Sequence, residues 1–442
     1  MHHFKNFKSF ADASIDLSRR LTVLIGKNGS GKSNAIEGVE LLAQLAHGRM
    51  LNEITDVGRG AGGFEVRGGL QGCGRANQSS FTLGFSKSDG EFGLNYIIQI
   101  NTTPEPHVAS ESLDFSGPSG IHTLFKTVDP PHQTVPGILS VQTHIAQSLS
   151  GKQILAFPSD RAILSHYNTI SPDPTLKHSV NKEEVELIQR VAQDAGRLIS
   201  FTKDHVRASF VFDPNPKAMR SYERIGNRLL SRNGGNLSAA LYALKKGDEQ
   251  EKAALARILG WIRQLPEEPY KDFGFVTTAL NDVLFGLKET RQGPLLDARV
   301  LSDGTLRCLA VLTALETVEQ GSRIVIEEFD NGLHPSRVGV LTQAIWDCAH
   351  RRKLNVLVTT HNPATLDALT EEQLAGVVLC FWDKKQKASR LLPLLELPRA
   401  DVLLERGHLG DLVTRRILEQ HLAPGFEEHQ KQTATDWLKA LP

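Results

Sequence analysis

The sequence carries no surplus of either charge, little cysteine and no long apolar run. Lys plus Arg and Asp plus Glu each total 50 in 442 residues. No global basic excess therefore draws the chain to nucleic acid or a membrane surface, and any polyanion contact has to be a local patch. Cysteine occurs four times, at Cys73, Cys308, Cys348 and Cys380. Their spacing suits neither a zinc site nor a redox pair, and the last three lie in apolar surroundings, so reduced core thiols and the cytoplasm are expected. No apolar segment approaches the roughly 18 residues that span a bilayer, and the opening MHHFKNFKSF has no apolar signal core. A soluble protein without a membrane partner is expected. The length exceeds one ordinary core and predicts two or three structural units, or one large domain with insertions.

What the sequence does have is a phosphate-binding pattern in context. Residues 21–36 read LTVLIGKNGSGKSNAI: an apolar strand, the loop Gly26-Lys27-Asn28-Gly29-Ser30-Gly31-Lys32-Ser33, then Asn34 and a helix-forming segment. Glycines let backbone N–H groups curl around a β-phosphate, and the helix N-terminus adds its positive end. Lys32 can reach β and γ oxygens, and the Ser33 hydroxyl can ligate Mg²⁺. A glycine-rich turn between strand and helix would need neither the Lys nor the Ser.

A second stretch, RIVIEEFDNGLHP at 323–335, ends a short apolar strand on Glu327 and Glu328. Adjacent carboxylates at the mouth of a buried strand repel each other unless a cation or proton offsets them. With a phosphate loop in the same chain, Glu327 takes the place of the magnesium-side carboxylate and Glu328 that of the group polarising the attacking water. Upstream, Ser302-Asp303-Gly304 opens an apolar helical run, a capped helix start whose free amides can also receive a phosphate. Downstream, NVLVTTHNP is another buried strand, delivering His361 at its end, where it can sense a γ-phosphate or hold the water.

GKNGSGKS, LSDGT, IVIEEFDNGLHP and TTHNP, in that order, resemble the phosphate loop, signature, Walker B with D-loop, and switch histidine of ABC-type ATPases. Within that class, the opening strand, the long separation of the Walker motifs and the form of Walker B are similar to the RecF, SMC and overcoming-lysogenization-defect group. The resemblance implies an α/β fold: a P-loop ABC-type ATPase head with an antiparallel β-lobe and an inserted compact helical lobe. It implies ATP and Mg²⁺ as cofactors and a homodimer, or higher homo-oligomer, that sandwiches ATP. Ser302, Asp303 and Gly304 of one chain then complete the site at Lys32 of the other. Asp303 replaces the signature's usual second glycine, and Glu327 stands where many relatives have Asp. The glutamine between lobes has two candidates, Gln142 and Gln153. The stretch after His361 has no repeated acidic cluster, so a TOPRIM nuclease is not expected.

Four segments follow: an ATPase lobe with a β-lobe at 1–182, a helical insertion at 183–292, a second ATPase lobe at 293–398 and a helical tail at 399–442. Alternation around Ser88-Asp89-Gly90 predicts antiparallel hairpins over 81–115, and Leu409, Val413 and Ile417 form one apolar helix face in the tail. In the insertion, Arg220, Arg224, Arg228 and Arg232 recur every four residues, which on a helix drifts about 40° per step. That makes either a stripe for DNA or an acidic partner, or a solvated, salt-bridged face. The family resemblance implies an ATPase sensor or switch of a bacterial antiviral system with a separate effector such as a nuclease. The alternatives are a RecF-like DNA-repair clamp and, least favoured, a transporter's nucleotide-binding subunit.

Overall fold

The structure is a computed structural model describing residues 1–55, 64, 66–118, 120–129, 136–143, 154–167, 182–207, 209–266, 269–405, 407–415 and 417–418. Its frame is one 14-stranded sheet. In chain order the strands are β1 (His2–Phe7), β2 (Phe10–Ile15), β3 (Leu21–Ile25), β4 (Ser80–Asp89), β5 (Phe92–Asn101), β6 (His107–Gly117), β7 (Gly120–Thr127), β8 (Ile138–Thr143), β9 (Ile154–Pro158) and β10 (Ser209–Phe212). A short trio, β11 (Glu223–Arg224), β12 (Asp272–Thr277) and β13 (Asp282–Lys288), with β14 (Leu296–Asp297), forms a separate antiparallel sheet. The main sheet resumes with β15 (Arg323–Ile326), β16 (Asn355–Thr360), β17 (Val377–Asp383) and β18 (Ala388–Pro393), in the spatial order β10-β15-β16-β3-β17-β18-β2-β1-β4-β5-β6-β7-β8-β9.

Strands β10, β15, β16, β3 and β17 run parallel. Their sequences are continuous apolar runs rather than alternations because both faces are covered. Within β15, Ile324 and Ile326 enter one core and Val325 the other; in β3, Val23 and Ile25 divide from Leu24 in the same way. The β-lobe alternates instead. β4 and β5 pair from Ser80↔Asn101 to Asp89↔Phe92, with Gly90 at φ 59° in the turn, as the sequence pattern predicts.

Helices α1 (Lys32–Ala46), α2 (Leu51–Thr55), α3 (Ile163–His166), α4 (Lys182–Arg207), α5 (Leu237–Lys246) and α6 (Glu249–Ile262) precede the signature. After it come α7 (Asp303–Thr317), α8 (Pro335–Arg352), α9 (Pro363–Asp367), α10 (Glu371–Leu374), α11 (Ala400–Glu405) and α12 (Leu409–Thr414). All four cysteines are buried and free.

The expected helical insertion is mixed in structure. Among the described residues of 183–292 there are three helices, but β10 leaves them to join the main sheet, and β11 to β13 form the side sheet. The four-residue arginine spacing is not helical either. Arg220 closes a 3₁₀ turn, Arg224 is in β11, and Arg228 and Arg232 lie in irregular chain. Pro216 ahead of the segment, and Gly226 and Gly234 at φ 137° and 73°, break any helix through it. In the tail, α12 packs on the head: Leu409 and Leu412 are buried, Val413 and Ile417 lie against the same core, and Gly410 N–H donates to Asp367 Oδ1 at 2.6 Å.

Candidate nucleotide site

The carboxyl ends of the parallel strands collect the expected residues at one edge of the sheet. β3 delivers the phosphate loop, β15 delivers Glu327 and Glu328, β16 delivers His361, and β10 leads into Asp213. This is where open α/β sheets bind ligands.

The loop's packing explains its glycines. A Cβ on Gly26, at φ 158°, would lie 2.2 Å from the Cys380 carbonyl oxygen, and one on Gly31, at φ 115°, would lie 2.7 Å from Ser389 Oγ. At Gly26 and Gly31 the loop is thus pressed against β17 and β18 with no room for side chains. Lys32 Nζ donates to Gly26 O at 2.5 Å and Lys27 O at 3.1 Å, curling the loop around its own ammonium. Burial lowers the Lys32 pKa, while Cys380 and the Glu328 carboxylate draw it back up. Ser30 Oγ is buried without a hydrogen-bond partner, as is Ser389 Oγ. Orphaned hydroxyls beside a curled, glycine-lined loop suit a polyphosphate, and the exposed Ser33 with the half-buried Glu327 is an oxygen donor set that suits Mg²⁺. A cavity of about 620 Å³ adjoins the loop, between His361, the end of β17 and α12.

Glu328 is held in an uncommon conformation. Its φ is 42°, in the left-handed region that side chains other than glycine's enter at a cost. Thr359 Oγ1 accepts from its N–H at 2.9 Å, Asn331 Nδ2 donates to its Oε2 at 3.1 Å, and His361 Nδ1 lies 3.9 Å from its Oε1. The neighbouring strand thus holds the Glu328 backbone, and the following turn tethers its carboxylate. Below it, Asp330 is buried and accepts from Thr360 Oγ1 at 2.5 Å and from the Thr365 hydroxyl. Burial raises its pKa against these hydrogen bonds.

Burial raises the Glu327 pKa from its ordinary value. Asp213 pushes in the same direction, Arg232 and Arg67 oppose, and Glu328 adds a smaller push upward. Two of these four neighbours, Asp213 and Arg67, carried no motif signal. Asp213 arrives because β10 pairs with β15, Phe212 opposite Ile326. Arg67 donates to Glu37 and, from Nη2, to Asn34 Oδ1 at 3.4 Å, while Lys8 pairs with Glu37 at 2.8 Å. Asn34 in turn donates to Ser9 Oγ at 2.8 Å. The first turn of α1 is therefore bounded by cations from elsewhere in the chain.

Arg232, read as part of either a polyanion stripe or a salt-bridged face, pairs with buried Glu40 of α1 at 2.5 Å. Arg228 pairs with Glu251 at 3.2 Å and Arg220 with Asp303 at 2.8 Å, leaving Arg224 exposed on β11. Ser302 caps α7, accepting from Thr305 N–H at 3.1 Å, and Gly304 faces Leu333 just beyond the paired glutamates. Gln142 lies on β8, between β7 and β9 of the β-lobe and many strands from β3. Gln153 falls outside the described residues.

The family model described as "AAA domain, putative AbiEii toxin, Type IV TA system" matches residues 21–367. The chain belongs to this family. Part of the chain is also similar to RecF proteins. Similar proteins include the DNA replication and repair protein RecF of Rhizobium meliloti (strain 1021), 27% identical over 201 residues, 40% of this chain and 47% of that protein. RecF of Rhizobium leguminosarum bv. trifolii (strain WSM2304) is 43% identical over 104 residues, 22% of this chain and 25% of that one. RecF of Picosynechococcus sp. is 36% identical over 69 residues, 16% and 18% of the two chains. The chain thus spans less than half the length of these curated relatives. Among solved structures, the SMC head domain from Thermotoga maritima aligns with 89% of this chain and 97% of its own, at 9% identity and a TM-score of 0.41. Among the described residues no helix is long and apolar enough to cross a membrane.

Proposed function

We propose that this ATPase is a Mg²⁺-dependent dimeric switch that hydrolyses ATP and passes its state to a separate effector. The observation that carries the reading is the convergence of loop, glutamate pair and histidine at one sheet edge, with Glu328 locked by Thr359 and Asn331. Lys32 and the loop amides hold the β and γ phosphates, and the Ser33 hydroxyl and Glu327 would hold the metal. Bound there, Mg²⁺ would neutralise charge on the phosphate oxygens and relieve the repulsion between Glu327 and Glu328. Glu328 orients water and takes its proton, and His361 steadies the same water or the γ-phosphate. Ser302, Asp303 and Gly304 of a second copy close the site. The family description, which names a toxin of a toxin–antitoxin system, supports a role in bacterial antiviral defence with a nuclease or other toxic effector.

The kinship with RecF supports a second reading, a DNA clamp for repair. Light scattering of Glu328→Gln with Mg-ATP tests the switch: the mass is expected to double, and an unchanged mass rejects the dimer. DNA that raises wild-type turnover several-fold and binds with a steep salt dependence would favour the clamp.

A further inference from the structure

The arginine that begins the broken stripe holds the signature turn. Arg220 Nη2 donates to Leu301 O at 2.7 Å, Nη1 donates to Pro216 O at 3.2 Å, and Nη1 pairs with Asp303 Oδ1 at 2.8 Å. The guanidinium therefore grips the chain on both sides of Ser302, the residue that caps α7. Its own backbone is fixed in turn, because Asp213 N–H donates to Arg232 O and Ala218 N–H to Asn215 O, anchoring the segment beside Glu327.

We infer that Arg220 is a positioning residue for the signature, neutralising Asp303 so that the turn can receive the γ-phosphate of a second copy. The inference rests on the dimeric reading above. Asp303 is the first residue of a 15-residue helix, and its side chain is 68% exposed. In the isolated chain that carboxylate favours the helix, since an anion complements the positive end of the dipole. Toward an arriving phosphate it is a like charge standing at the same helix end. A glycine there would raise no such conflict. Arg220, 26% exposed, lies within bonding distance of the carboxylate and cancels its charge while pinning the Leu301 carbonyl. An ion pair with so exposed a partner adds little to folding. Its consequence is electrostatic: the Asp303 carboxylate is balanced at the turn that Arg337 and Arg307 also approach, with Ser302 held in capping geometry.

The test compares Arg220→Gln, Arg220→Lys, Asp303→Gly and the double variant Arg220→Gln/Asp303→Gly, in steady-state turnover and in equilibrium binding of ATP to dilute protein. Arg220→Gln is expected to lower kcat at least tenfold with ATP affinity unchanged within twofold, because the loop at Lys32 is untouched. Arg220→Lys should keep an intermediate kcat. Removing the carboxylate should restore at least half of the lost turnover on a logarithmic scale, a recovery that a merely structural role for Arg220 would not produce. Wild-type turnover in Arg220→Gln, or no recovery in the double variant, overturns the inference. Should Arg220→Gln fail to fold, Arg220→Lys with and without Asp303→Asn makes the same comparison. Glu328→Gln serves as the control for the underlying reading. If it stays a single copy with Mg-ATP, the dimer and this inference both fall; if it pairs while the Arg220 variants behave as wild type, this inference alone falls.

Discussion

Glu328 combines a backbone at φ 42° with a side chain tethered by Asn331 and neighboured by His361. Such strain costs on the order of 1–3 kcal/mol and persists where surrounding contacts over-determine it. Glu328→Gln keeps the size, the backbone and the bond from Asn331, and removes only the ability to take a proton. Turnover should fall about 10²- to 10⁴-fold, the usual contribution of a positioned base, with ATP binding retained. Phosphate release near the wild-type rate would reject Glu328 as the base. Residues of this kind were legible in the sequence because each motif is local: GKNGSGKS and the Glu327-Glu328 pair state their chemistry within a few positions. Asp213 and Arg67 were not, since their influence on Glu327 depends on pairing between segments far apart in the chain. The arginine spacing misled for the same reason. A period of four counts as a helix face only if the intervening chain is helical, and Gly226 at φ 137° breaks it.

Elements are joined by buried polar groups whose titration makes the joints measurable. Glu111 of β6 accepts from Ile163 N–H at 2.6 Å, Leu164 N–H at 2.8 Å and Tyr96 OH at 3.0 Å, tying the β-lobe to α3. Burial outweighs these hydrogen bonds and lifts its pKa to about 7. A carboxyl group raised in the fold binds its proton more tightly there than in the unfolded chain. Its contribution to stability is therefore complete below the ordinary carboxyl value and is lost as pH rises through about 7. Glu111→Gln cannot titrate, so the wild-type advantage over it in urea unfolding should shrink by on the order of 3 kcal/mol from acid to neutral pH. A gap independent of pH would reject the assignment. At the phosphate loop, Gly26→Ala should abolish ATP binding, because the added methyl meets a backbone oxygen of β17. Gly29→Ala meets nothing within 4 Å and should cost only the left-handed backbone penalty of about 1–2 kcal/mol. Equilibrium ATP binding to the two variants separates these outcomes. Strands β3, β15 and β16 were readable as buried runs ending in motifs. β10 was not: SFVF is four residues long, directly follows a long helix, and becomes a strand only by pairing with residues more than a hundred positions away.

At the scale of the whole molecule, the site sits where the two cores meet. Neighbouring residues of β3 and β15 divide between the cores, and those strands lead straight into the phosphate loop and the glutamate pair. Anything bound across their carboxyl ends braces both cores at once. Binding to the folded state alone adds RT ln(1 + [L]/Kd), about 2.7 kcal/mol at a hundredfold excess over Kd. Mg-ATP should therefore raise the midpoint of thermal unfolding by several degrees and move the whole transition together, because neither core can melt without releasing a strand that the other uses. Glu327→Gln should reduce the part of that shift that depends on Mg²⁺, since the remaining oxygen donor at Ser33 is uncharged. Lys32→Ala should abolish the shift altogether, its ammonium being the one that reaches the β and γ phosphates. Differential scanning calorimetry of the three proteins with ATP, with and without Mg²⁺, checks this. A shift confined to part of the transition would show that the cores unfold separately, and an undiminished shift in Lys32→Ala would place the nucleotide elsewhere.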